Sequence, residues 1–110
     1  MSTQMLENTE ELEDIFKVPK ALVFKHSTRC GISRFAYAEV MKYLESCRAD
    51  ICLFIVDVIK NKHISKEIQK KTGITHESPQ VLLIKSGAVI WHDSHWNITE
   101  QNLKKAIENL

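Results

Sequence analysis

The six residues Ile51-Cys52-Leu53-Phe54-Ile55-Val56 contain no charged or hydrogen-bonding side chain other than one thiol, and they do not alternate. A strand with one wet face alternates apolar and polar residues, so an unbroken apolar run of this length reads as a strand covered on both faces. Covering both faces takes helices above and below, and the flanking sequence supplies them. Ala21-Leu22-Val23-Phe24-Lys25 reads as a second buried strand. Between the two runs lies a helix beginning near Cys30, with Tyr37, Val40, Met41, Leu44 and Cys47 at helical spacing. Strand, helix and strand in that order imply a parallel pair joined by a right-handed crossover.

The second half changes rhythm. A mostly polar helix is expected over Lys62 to Thr72, with Ile64 and Ile68 inward and Gly73 as its stop. After Pro79, Val81-Leu82-Leu83-Ile84 forms a third strand, and Ser86-Gly87 suits a tight turn into a fourth, Ala88 to His92. Thr99 is the expected cap of a last helix carrying Leu103, Ala106, Ile107 and Leu110 on one face. Ahead of the first strand, Thr9 is the expected cap of a short helix with Leu12, Ile15 and Phe16 inward, ended at Val18 by Pro19. The expected fold class is α/β: a four-stranded mixed sheet with flanking helices and an extra N-terminal helix, in one domain over residues 1–110. Element order alone leaves the neighbours of each strand open.

Charge narrows the function. Fifteen basic and 14 acidic residues leave a formal net charge of +1, which provides no electrostatic footprint for nucleic acid or an anionic membrane. The segment Met1 to Glu13 is polar and acidic, unlike a secretory signal. The longest apolar stretch, Ile51 to Ile59, is broken by Asp57 and too short to span a bilayer. A cytoplasmic location is expected, where the three cysteines are thiols; their odd number argues against a structural disulfide set.

Cys30 stands where the first strand's loop turns into a helix, in Thr28-Arg29-Cys30-Gly31-Ile32-Ser33. The first amides of a helix lack intrahelical acceptors and carry partial positive charge, which favours a thiolate. Arg29, Lys25 and His26 are close in sequence, and Ser33, one turn on, is placed to offer its hydroxyl to the sulfur. The competing reading is a buried structural cysteine. The polar and glycine neighbours favour an exposed loop tip instead. Cys47 lies seventeen residues further along, about 25 Å at 1.5 Å per residue, whereas a disulfide needs Cα atoms within about 7 Å. Cys52 starts a strand parallel to the first, at the end opposite Cys30, roughly 15 Å away at about 3.3 Å per residue. Both read as core residues, so a mixed disulfide on Cys30 must be resolved by a thiol from outside the chain.

The strand, the polar loop, the Cys-x-x-Ser at a helix start and the later Ser78-Pro79 before an apolar strand resemble the thioredoxin superfamily. Two longer strings, Phe24-Lys25-His26-Ser27-Thr28-Arg29-Cys30-Gly31-Ile32-Ser33 and Glu77-Ser78-Pro79-Gln80-Val81-Leu82-Leu83-Ile84-Lys85, narrow the resemblance to the monothiol bacilliredoxins of bacillithiol-using bacteria. The resemblance runs from about Phe16 to the C-terminus and departs at Gly31, where the family commonly has proline. It implies a thioredoxin-like fold with Ser78-Pro79 in the cis form facing Cys30, against the roughly 5–6% base frequency of cis X-Pro bonds. It also implies a stress-response thiol–disulfide oxidoreductase with no bound cofactor. Bacillithiol, a cysteinyl-glucosamine-malate, would be its co-substrate and S-bacillithiolated proteins its partners, with Cys30 and Ser33 catalytic. Arg29, Lys25, His26, Gly31, Ser78 and Pro79 would bind the thiol, and the malate carboxylates would meet Arg29, Lys25, His26 and the start of the last helix. A monomer is expected. The alternative is a non-catalytic thioredoxin-like binding or stress module with an unreactive Cys30; a different thiol-dependent reductase on the same fold ranks below both.

Trp91-His92-Asp93-Ser94-His95-Trp96-Asn97 leaves three readings open. It is a metal site at a spacing that matches no firm zinc pattern, a wall of the thiol groove through Ser94 and His95, or a solvated loop with one packed tryptophan. The second reading places Ser94 and His95 among the thiol-binding residues, and no metal ligand is assigned. His63 and His76 read as surface residues, and the lysines at 60, 62, 66, 70 and 71 as a solvated face.

Overall fold

A computed structural model of the chain describes residues 2–47 and 49–109. The elements run β1 (Ser2–Met5), a 3-10 turn (Thr9–Glu11), α1 (Leu12–Lys17), β2 (Lys20–His26), α2 (Gly31–Ser46), β3 (Cys52–Asp57) and α3 (Lys62–Thr72). They continue with β4 (Gln80–Lys85), β5 (Ala88–Ser94), a second 3-10 turn (His95–Asn97) and α4 (Glu100–Glu108).

The sheet has five strands in the order β1-β3-β2-β4-β5. The first three neighbours are parallel, β4 is antiparallel to β2, and β5 is antiparallel to β4. The sequence leads to four strands because Ser-Thr-Gln-Met carries no apolar pattern. β1 is a largely exposed edge strand held by main-chain pairing to β3, and the ladder continues through the Leu6 amide to the Ile55 carbonyl at 2.9 Å. Leu6 itself is fully buried and anchors the edge. Asn8, not Thr9, caps the following turn: its side chain accepts from the Glu11 amide while the Glu11 carboxylate accepts from the Asn8 amide.

Strand alternation sorts the core into two layers. Leu22, Phe24, Leu53, Ile55, Val81 and Leu83 face α2 and α4, whereas Ala21, Val23, Phe54, Val56, Leu82 and Ile84 face α1 and α3. Both faces of β2, β3 and β4 are therefore covered, as their unbroken apolar runs require. Ile64 and Ile68 of α3 point inward, and Gly73 ends that helix at φ 74°. Ser86 at φ 50° and Gly87 at φ 83° make the hairpin turn into β5, which extends beyond His92 to Ser94.

Helix α2 is rotated from the expected stripe. Ser33, Ala36, Val40 and Tyr43 are buried, Met41 and Leu44 are half-buried, and Tyr37 is 41% exposed. The buried positions of its first turns are the small residues Ser33 and Ala36, and Tyr37 lies instead against the His26 ring, 5.1 Å between centroids. In α4, Leu103 and Ile107 are buried and Ala106 is half-buried; Leu110 lies outside the described residues. No helix among the described residues is long and apolar enough to cross a membrane.

Candidate functional site

β2 and β3 end together, with His26 in register with Asp57, and the chain leaves β2 in a polar turn over Ser27 to Arg29. Cys30 closes that turn. Its amide donates to the Ser27 carbonyl at 3.3 Å, and its own carbonyl accepts the first helical bond from the Arg34 amide at 3.1 Å. It is the N-cap of α2 in extended conformation and is half-buried. Among the described residues, the amides of Gly31, Ile32 and Ser33, in the first turn after Cys30, have no hydrogen-bond partner, and the Cys30 side chain makes no cap bond to them. Gly31 is exposed, and a Cβ added there would meet nothing within 4 Å, so no steric constraint selects glycine. Its effect is to keep an N–H at the first helical position, where proline would remove one.

Ser33 is fully buried, and its hydroxyl is engaged elsewhere than at the sulfur. It accepts from the Ser27 amide at 2.8 Å and lies 2.8 Å from His26 Nδ1. Burial pulls the His26 imidazole below its ordinary range, opposed by the Asp57 carboxylate, so the ring is neutral near pH 7 and its Nδ1 shares one hydrogen bond with the Ser33 hydroxyl. The His26 ring is also layered between Phe24 and Tyr37, with centroids 5.3 and 5.1 Å away. The Ser33–His26 pair thus braces the turn that carries Cys30. Arg29, next to Cys30 in the chain, is exposed.

Lys25 is absent from this face. Adjacent strand residues point to opposite sides, so Lys25 is fully buried on the α3 side, its Nζ 3.2 Å from His76 Nδ1. Burial pushes its ammonium down to about 8. His76 Nδ1 also lies 3.1 Å from Ser65 Oγ; burial and the neighbouring Lys25 hold that imidazole below its usual range, with Glu77 opposing. His76 therefore has partners that its spacing does not reveal, since Lys25 lies 51 residues away in the chain. The start of α4 is partly occupied: Thr99 Oγ1 accepts from the Asn102 amide at 3.1 Å and Glu39 Oε1 accepts from the Glu100 amide at 3.2 Å, while the Gln101 amide has no partner among the described residues.

The remaining expected residues come together along one edge. The Ser78–Pro79 bond is cis, and the Lys25–Gln80 pairing places Pro79 and Ser78 beside the residues that follow β2. The His95 amide donates to the Pro79 carbonyl at 3.1 Å, with His95 at φ 55°, and Ser94 pairs with Gln80. His95 Nε2 is 3.6 Å from a Glu77 carboxylate oxygen. The stretch after β5 is thus tied to the cis-proline segment. Trp91 packs on the α2-side core, whereas Trp96 is 60% exposed against Phe35, 5.2 Å between ring centroids. No group of three His, Cys, Asp or Glu among the described residues is arranged to hold a metal.

Cys47 and Cys52 are free thiols, half-buried against opposite core layers. Cys47 Sγ is 3.4 Å from the Tyr43 hydroxyl at the far end of α2, and Cys52 pairs with Ala21 at the far end of β2. Each is separated from Cys30 by the length of an element. The arrangement offers chemistry at a single N-cap sulfur followed in the chain by three free amides.

The comparisons agree with the fold. A solved structure whose description proposes an oxidoreductase with a thioredoxin fold is 30% identical over 94% of this chain and 92% of its own, with TM-score 0.86. A thioredoxin from Halobacterium salinarum, solved as a point mutant, has 18% identity, TM-score 0.78 and coverage of 98% and 89%. Mitochondrial thioredoxin 3 from Saccharomyces cerevisiae has 22% identity, TM-score 0.78 and coverage of 98% and 95%. These last two share the fold. The family described as monothiol bacilliredoxin BrxC matches residues 4–103. With a thioredoxin fold and a match across nearly its whole length, this chain belongs to the monothiol bacilliredoxin family, whose chemistry is thiol redox.

Proposed function

We propose that this protein is a cytoplasmic, monomeric thiol–disulfide oxidoreductase that removes bacillithiol from mixed disulfides on client proteins. The Cys30 thiolate attacks the bacillithiol sulfur of the client disulfide. The new bond joins Cys30 to bacillithiol, the old S–S bond breaks, and the client cysteine leaves as a thiolate that takes a proton from water. A second bacillithiol thiolate then attacks the bacillithiol sulfur on Cys30, releasing oxidised bacillithiol and restoring the Cys30 thiolate. The reaction needs bacillithiol as co-substrate and no bound cofactor.

The observation that carries this reading is the setting of Cys30: a half-buried N-cap thiol before three unpaired amides, with both other cysteines an element's length away. The cis Ser78–Pro79 edge, tied to His95, supports an extended substrate main chain beside the thiol. Ser33 and His26 act as positioning residues for the turn. Mass spectrometry after treatment with oxidised bacillithiol tests the proposal. One adduct is expected on Cys30 and none in Cys30→Ala; adducts mainly on Cys47 or Cys52 would overturn it.

A further inference from the structure

On the α3 side of the sheet, next to the thiol loop, lies a cleft of about 520 Å³ whose lining includes Ser27, Lys62, Lys66, Gln69, His76 and Ser78. Its volume falls within the roughly 300–1,000 Å³ of small-molecule sites. Ser27 and Ser78 close it toward Cys30, since Ser27 holds the Cys30 amide and Ser78 precedes the cis-proline. No carboxylate is among its lining residues. Lys62 and Lys66 sit at i, i+4 on α3, where like charges repel, and neither has a carboxylate within 4.0 Å among the described residues.

Two buried groups are left incomplete around this cleft. Ser78 Oγ is shielded from solvent and makes no hydrogen bond. Lys25 is fully buried under the cleft wall with His76 Nδ1 as its partner, and no carboxylate among the described residues pairs with it. Buried charges are ordinarily paired, and buried hydroxyls ordinarily bonded. With Nδ1 accepting from Lys25, His76 keeps its proton on Nε2 as a further donor. Gln69 Oε1 accepts from the His76 amide, which leaves the Gln69 NH₂ group to donate. Every unfilled valence named here is a donor or a positive charge, apart from the hydroxyl, which can do either.

We propose that this cleft is a carboxylate subsite that holds the dicarboxylate end of the small thiol while its sulfur reacts at Cys30. This rests on the exchange reaction proposed above and docks the acid groups beside α3 rather than at the start of α4, where two of the first three amides already have side-chain partners. Lys62 and Lys66 would take the two carboxylates, with Ser78 Oγ and His76 Nε2–H as donors and Lys25 supplying positive charge from below.

The probe is malate alone, titrated into the full-length reduced protein and followed by ¹H–¹⁵N NMR. Shifts are expected at residues 62, 66, 76 and 78, and Lys62→Ser with Lys66→Ser should weaken binding about tenfold. Both lysines are exposed, so the variant folds. In the kinetic arm, the same double variant should raise KM about tenfold for a client peptide disulfide carrying bacillithiol. It should leave KM unchanged for the disulfide carrying uncharged 2-mercaptoethanol. Malate shifts confined to Arg29, His95 or α4, or equal KM changes for both disulfides, would overturn the subsite. Absence of a Cys30 adduct would sink the exchange reaction alone, and the malate titration would still decide the subsite.

Discussion

Lys25 and His26 are consecutive, both basic, and both at the end of β2, yet they do opposite things. His26 is half-buried on the α2 side, neutral, layered between Phe24 and Tyr37 and bonded to Ser33 beneath the thiol turn. Lys25 is fully buried on the α3 side and bonded to His76, among the polar groups of Ser65 and Gln80. The α2 side is satisfied: Ser33 Oγ is bonded both to the Ser27 amide and to His26 Nδ1. On the α3 side a buried ammonium has no counter-ion among the described residues, and Ser78 Oγ has no partner. A site for chemistry needs a rigid turn, whereas a site for a ligand needs unfilled valences, and one strand end provides both on its two faces.

Substituting the residue that sets the faces apart should have the largest effect. In Lys25→Met the buried charge is replaced by an apolar chain of similar length, and the variant should be more stable at pH 7 by roughly 2–3 kcal/mol. The sign follows from linkage. The folded-state value of about 8 lies below the unfolded value of about 10.4, so between those values the unfolded chain binds more protons. Wild-type stability should therefore rise from about pH 8 to about pH 10.4 relative to the variant, and the difference should be constant below pH 8 and vanish above pH 10.4. Urea denaturation of both proteins across roughly pH 7 to 11 checks it. A variant that is less stable at pH 7 would mean the ammonium is already satisfied and the contrast between faces is false.

The satisfied face should respond in the opposite direction. Ser33→Ala leaves the Ser27 amide and His26 Nδ1 unpaired, which should cost about 1–2 kcal/mol. Hydrogen exchange at the Ser27 amide should accelerate, while the thiol-exchange rate at Cys30 falls by less than about threefold if the serine positions the turn without touching the sulfur. A much larger rate loss with unchanged stability would move Ser33 into the reaction itself. The smallest effect is expected at the surface seam between α2 and the turn after β5. Phe35→Ala removes the ring contact with Trp96 and should cost about 0.5–1 kcal/mol, read from denaturant unfolding and tryptophan emission. A larger loss would make that seam part of the frame that holds the active face.

Most of the frame was legible in the sequence because it rests on local signals. Apolar runs without alternation mark β2 to β4, Gly73 and Thr99 mark helix ends, and α3 spans the expected residues 62 to 72. β1 escaped because it rests chiefly on main-chain pairing to a strand about fifty residues away, which leaves no trace in the apolar pattern. The α2 stripe was offset because Tyr37, apolar enough for the core, is drawn to His26. At the site, Cys30 and its helix start could be read directly, and the Ser78–Pro79 geometry came through family resemblance.

The amino-acid order by itself determined the alternation of strands and helices, the helix that begins at Cys30 and the lack of a second thiol within reach. Those properties depend on residues near one another in the chain, where spacing and geometry translate directly into distance. Only the tertiary structure decided which side of the sheet each basic residue serves, because a single-residue step along a strand reverses direction and the partners come from distant segments. It sent Ser33 to His26 rather than to the sulfur, put Lys25 under His76, and left a cationic cleft behind the thiol loop.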